Sequence, residues 1–206
     1  MSDINLAFIN RSTDVNNSSI VIFQKNVATD FDELSVAWRV VENCGRYMRH
    51  LFTYPKKMQV GASDSYGNTT PLLDAENSHM FAVTKNTSGN ELKLVGPSAS
   101  TDEVQVKNSL ATGSINANIY KGGKLLAVKT GVAPQQKAVF EFHPTIWIGV
   151  VSQIEEGEIM NSAILSDINT ELSLTGIASA DIVMTGGGTG KNATPFKFEL
   201  QNIVKA

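Results

Sequence analysis

Cysteine is nearly absent from the chain: Cys44 stands alone, so no internal disulfide can form and a cross-linked miniprotein framework is excluded. A lone thiol of this kind is most simply a small core side chain. Charge is scarce too, at 18% of residues against the usual quarter, and Lys+Arg 17 against Asp+Glu 20 offers no broad positive field. That balance argues against nucleic acid as a partner. No stretch approaches the ~20 apolar residues that cross a bilayer as a helix, and the greasiest, 146–151, is short. The opening Met1-Ser2-Asp3-Ile4-Asn5-Leu6 lacks a basic segment followed by an apolar run, so the expectation is a cytoplasmic protein with no signal and no membrane span. Neither a fixed-period repeat nor a Pro/Ser-rich linker interrupts the chain, and one domain over 1–206 is expected.

What is abundant is alternation. With 206 residues, 42% of them hydrophobic, the chain can bury a substantial core. Ile4, Leu6 and Phe8 share one face of a period-two pattern, which returns in Ile20 to Phe23 after the polar run 10–18. The same pattern recurs at Met80-Ala82, Leu92-Leu94, Val104-Val106 and Ile115-Ile119. Gly122-Gly123 between two alternating runs suits a tight hairpin that needs positive φ at both central positions. Ile146 to Val151 reads as a strand buried on both faces, and 180–184 with 196–200 as a closing antiparallel pair. Asp30 to Cys44 admits two readings. Phe31, Leu34, Trp38, Val41 and Cys44 fall at helical spacing behind an acidic capping box, whereas Ser35 to Val41 is rich in β-branched residues. A second short helix or a turn is expected over Ser162 to Asn169. The economical architecture is all-β, an antiparallel β-sandwich of two packed sheets and about ten strands with one or two short helices.

The candidate sites each compete with a plainer reading. Thr185-Gly186-Gly187-Gly188-Thr189-Gly190-Lys191-Asn192 resembles a phosphate-binding loop only superficially. Thr185 replaces the first glycine, Asn192 the metal-binding hydroxyl, and Pro195 the following helix, so a strand connection is expected. His50, His79 and His143 show no metal-ligand spacing, and no cofactor is expected. Glu155, Glu156 and Glu158 around Gly157 do not follow a calcium-loop spacing and read as an acidic turn. A nucleophile elbow is missing, since Gly61-Ala62-Ser63-Asp64-Ser65 has no second glycine. A basic interval remains: Arg39, Arg46, Arg49, His50, Lys56 and Lys57 are interleaved with Tyr47, Phe52 and Tyr54, and every arginine lies at or before residue 49. Arg46, Arg49, His50, Lys56 and Lys57 are thus candidates for gripping an anionic partner, against a reading as solvated charge.

Several short segments carry a family resemblance. Phe8-Ile9-Asn10-Arg11-Ser12 through Ser19-Ile20-Val21-Ile22-Phe23-Gln24, then Leu34-Ser35-Val36-Ala37-Trp38, then Phe142-His143-Pro144-Thr145-Ile146-Trp147-Ile148 and Glu156-Gly157-Glu158-Ile159 occur in order. In these the chain resembles the bacterial rhizosphere-induced (RhiA-like) proteins, often labelled aromatic-ring-opening dioxygenases. The basic run between Gly45 and Lys57 departs from the family pattern. The resemblance implies a soluble bacterial β-sandwich. A ring-opening iron centre needs a compact set such as two histidines and a carboxylate, for which only His50, His79 and His143 are available, so the label is not adopted.

The expected function is therefore non-catalytic: a β-sandwich that self-associates into homo-oligomers or larger arrays through sheet edges and weakly charged polar surface. The alternative is a carbohydrate-binding, lectin-like module with Trp38, Tyr54 or Tyr66 as the sugar platform. Trp147 is assigned to the core by its apolar run. An enzyme of unspecified type ranks third.

Overall fold

A computed structural model describes residues 3–28, 34–161, 164–165 and 170–206. The described chain is all-β, as the alternation predicts. In chain order its first half carries β1 (Ile4–Asn10), β2 (Ser19–Phe23), β3 (Leu34–Ser35), β4 (Arg39–Val41) and β5 (Arg49–Tyr54). These are followed by β6 (Met58–Asp64), β7 (Leu73–Ala75), β8 (His79–Asn86) and β9 (Gly89–Pro97). The second half carries β10 (Glu103–Asn108), β11 (Ile115–Lys121), β12 (Lys124–Val132) and β13 (Lys137–Glu141). It ends with β14 (Thr145–Val151), β15 (Thr170–Ser173), β16 (Ile177–Gly187) and β17 (Thr194–Lys205).

Among the described residues four sheets form instead of the two expected, and the chain gathers into two compact units. The first unit comprises Met1–Gln24, Val36–Lys56 and Pro144–Ala206; the second comprises Lys25–Ser35 and Lys57–His143. Within the first, one sheet runs β17-β16-β1-β5 and the other β15-β14-β2-β4. Val21, Phe23, Ala37, Val151, Ile154 and Met160 form a buried cluster there, and Trp38 packs edge-on to Phe52 and Tyr54 at 6.5 and 5.8 Å between ring centroids. Within the second, the sheets run β13-β10-β8-β9 and β3-β12-β11-β6-β7, over a core that includes Phe81, Val106, Ile119, Leu126 and Phe140.

The two units repeat one topology. In the first, β1 pairs antiparallel with β5 (Leu6 opposite Phe52) and parallel with β16 (Phe8 beside Ile182), and β16 turns into β17 (Met184 opposite Phe198). In the second, β10 pairs antiparallel with β13 (Val104 opposite Phe140) and parallel with β8 (Val106 beside Phe81), and β8 turns into β9 (Val83 opposite Leu92). The other sheets match as well: Trp147 opposes Phe23 and Glu171, as Val60 opposes Ile119 and Leu73. At the ends of β1 and β10 stand two buried asparagines in the same role. Asn10 Oδ1 accepts from the Ser12 backbone N–H at 2.9 Å while its Nδ2 donates to the Cys44 carbonyl at 2.6 Å. Asn108 Oδ1 accepts from the Leu110 N–H at 3.0 Å while its Nδ2 donates to the Val132 carbonyl at 2.8 Å. Tyr47 and Gln135, at φ 69° and 68°, then donate their N–H groups to the carbonyls of Asn10 and Asn108.

This correspondence divides the chain into repeats over 4–97 and 103–205 whose halves are exchanged. The first unit joins the opening strands of repeat one (β1, β2, β4, β5) to the closing strands of repeat two (β14 to β17), and the second unit joins the complementary halves. No fixed period betrays this in the sequence, because the loops between matched strands differ in length.

Several local expectations resolve here. Gly122 and Gly123 take φ of 62° and 75° in the β11–β12 hairpin, the β16–β17 pair closes the chain, and β14 lies between β2 and β15. No helix covers the described part of 30–44. Leu34 and Ser35 pair with β12, Val36 bridges to Ile159, and Arg39–Val41 pair with β2, so the β-branched content prevails over the helical spacing. The capping box at Asp30 and Glu33 lies outside the described residues. So does the helix or turn expected over Ser162 to Asn169, except that Ile164 and Leu165 are helical.

Lys121 ends β11 only 4% exposed, and burial pushes its ammonium down to about 7 from the usual 10.5. Between those values the unfolded chain holds a proton that the folded chain has released, so folding stability rises with pH across that window and is flat below it. Calorimetry between pH 7 and 10 should show Tm of Lys121→Met higher than the parent at pH 7 and the gap narrowing toward pH 10. Parallel pH profiles for the two proteins would contradict this.

Candidate binding cleft in the second unit

The two units differ where the first strand of the shared topology enters its following loop. In the first unit this loop is fastened to β16: Thr13 N–H donates to the Gly186 carbonyl at 2.8 Å and Gly188 N–H to the Thr13 carbonyl at 3.1 Å. So close an approach requires glycine at 187, where a Cβ would fall 2.9 Å from the Asp14 nitrogen; a Cβ at Gly186 would instead meet the Pro195 carbonyl oxygen of β17 at 2.1 Å. By the register of the second unit, Lys85 and Asn86 of β8 occupy the places of Gly186 and Gly187. There the corresponding loop, 109–114, keeps the Ser109 N–H bond to the Val83 carbonyl at 2.9 Å and borders an open cleft of about 630 Å³. A second hollow of about 460 Å³ adjoins it, sharing Asp64, Lys85 and Asn90.

Most of the lining residues carry polar side chains. Asp64 closes the β6 turn: its Oδ1 accepts from the backbone N–H groups of Tyr66 and Asn68 at 2.9 and 3.0 Å, and its Oδ2 from Asn68 Nδ2 at 2.9 Å. The Asn68 side-chain bond, with the backbone donors, holds the Asp64 carboxyl below its ordinary value, so it is an ionised acceptor at neutral pH. The turn so fixed presents Tyr66 to solvent at 89% exposure, on the border of the larger cleft. The Thr84 hydroxyl, also on that border, is buried and finds no hydrogen-bond partner among the described residues. A buried polar atom left this way costs free energy on the order of 1–3 kcal/mol unless something else satisfies it.

Of the residues expected to act as platforms, Tyr66 alone is presented. Trp38 and Tyr54 are 1% and 3% exposed, which corrects their assignment as sugar platforms; the Tyr54 phenol is pushed well above its usual range by burial. Trp147 is half-buried against the first unit's core cluster. In the basic interval the Arg39 guanidinium lies 5.0 Å from the Phe52 ring centroid. The Arg46 guanidinium lies 4.9 Å from the Tyr47 ring centroid, and Arg49 reaches Asp181 at 3.3 Å. His50 sits half-buried beside Phe52, Lys56 donates its backbone N–H to Asp3, and Lys57 falls in the other unit. The acidic turn packs by its backbone, Gly157 N–H donating to the Ala37 carbonyl at 2.8 Å. Cys44 is half-buried, and burial pushes its thiol up. Among the described residues no three of His, Cys, Asp and Glu gather closely enough to hold a metal ion.

Sequence reasoning missed Asp64, Asn68, Thr84, Lys85 and Asn90. The run Asp64-Ser65-Tyr66-Gly67-Asn68 was available as a signal, because Asx-turn residues flanking a tyrosine mark a tip that exposes its ring. Comparison with family models, with curated proteins and with solved structures returns no match to this chain.

Proposed function

We propose that the chain is a non-catalytic binding protein whose second unit takes a carbohydrate in the cleft beside Tyr66. The observation that carries this reading is the fully presented Tyr66 ring on the border of a cleft whose lining includes Asp64, Thr84, Lys85 and Asn90. A sugar offers an apolar C–H face to a ring's negative π surface and a rim of hydroxyls that both donate and accept. Asp64 and Asn90 supply acceptors and Lys85 a donor along the same cleft. Titration calorimetry of the full chain against a panel of neutral oligosaccharides should find a binder whose affinity falls about tenfold or more, ~1.4 kcal/mol, in Tyr66→Ala. No binder in the panel, or equal affinity in the variant, would contradict the reading.

A second reading, self-association through sheet edges, is favoured by a separate observation. β17 is the longest strand and stands at the end of its sheet, with Ile203 and Val204 at 44% and 55% exposure; β9, its counterpart, exposes Leu94 and Val95. Long edges carry unpaired backbone groups that template pairing, and an inserted lysine blunts them. On this reading, light scattering at high concentration should show assemblies that Val204→Lys reduces in mass. A strictly monomeric parent protein would contradict it.

A further inference from the structure

The first unit joins early segments of the chain, Met1–Gln24 and Val36–Lys56, to a late one, Pro144–Ala206, whereas the second is mostly one continuous stretch, Lys57–His143. Two strand pairs close the first unit, β1 with β16 and β2 with β14. Nothing in these registers requires that both partners come from one molecule.

The connections favour exchange. β5 passes to β6 through residues 55–57, and β13 to β14 through residues 142–144. Three residues span at most about 11 Å when extended. Each linker contains a proline, Pro55 or Pro144, which holds Tyr54 or His143 in extended conformations. Each of these linkers carries the chain out of one unit into the other. Short, stiff connections of this kind are the hinges at which identical elements are exchanged between protomers.

We infer that a second copy of this chain is a partner built into the fold, taken up when the carboxy-terminal half-module of one molecule (144–206) completes the first unit of another through β1/β16 and β2/β14. The pairings formed within one chain and between two are the same, so the balance is set by the effective concentration of the tethered half-module against the free concentration of chains. Reciprocal exchange closes a dimer; one-way exchange leaves a free half-module at each end and adds copies head to tail. This route needs no open sheet edge and does not involve the cleft.

The test uses full-length chains in a Cys44→Ser background. Asn5 and Ser179 are neighbours across β1 and β16. Adjacent strands lie ~4.8 Å apart, within the Cα range that a disulfide bridges. A chain carrying both Asn5→Cys and Ser179→Cys should cross-link internally. Chains carrying one substitution each, refolded together at high concentration, should give a reducible product of twice the chain mass whose linked peptides contain residues 5 and 179. Refolded parent protein should show integer multiples of the chain mass by native mass spectrometry. An internal cross-link in the double variant with none in the mixture, or a solely monomeric refolded population, would overturn the inference. Edge pairing through β17 would also give multimers, but without the 5–179 link.

Discussion

Parallel pairing of β1 with β16, and of β10 with β8, is the constraint on which the rest depends. Antiparallel strands can be joined by a two-residue turn, but parallel neighbours require a long crossing connection. This chain supplies the crossing between β1 and β16 with an entire second unit, and that unit contains the same parallel step at β8 and β10. Each parallel pair stitches half of one repeat to half of the other. Asn10 and Asn108 secure the exits of β1 and β10, where the chain leaves the ladder and its polar groups would otherwise be buried without partners.

Two copies of one topology allow an internal comparison of how backbone chemistry makes or removes a cavity. Glycine at 187 admits the close approach of the 11–18 loop to β16, and the counterpart loop beside Lys85 and Asn86 borders a cleft. One unit has become a sealed scaffold and the other carries a polar cleft with a presented tyrosine. The cleft thus lies on the copy that has Lys85 and Asn86 where the other has Gly186 and Gly187.

Strands were readable because their faces alternate, and the Gly122-Gly123 turn because only positive φ fits there. The segment around Trp38 was ambiguous because Val36, Ala37 and Trp38 are all buried, which breaks the alternation that would have marked it extended. The duplication was invisible because matched positions share burial and register, not identity: Phe8 answers to Val106, Ile182 to Phe81 and Phe198 to Leu92. Tyr66 could be nominated as an aromatic among turn residues. The orphaned Thr84 hydroxyl could not, since its isolation arises only from tertiary packing.

The central claim, that each unit is assembled from halves of both repeats, is tested most directly by cutting the chain between them. A protease site placed in the 99–101 loop, which joins β9 to β10, separates the repeats covalently while leaving every strand intact. Native mass spectrometry after cleavage should find the two fragments still together at the mass of the whole chain, parting only in denaturant. Two separately folded fragments, each of about half that mass under native conditions, would contradict the account.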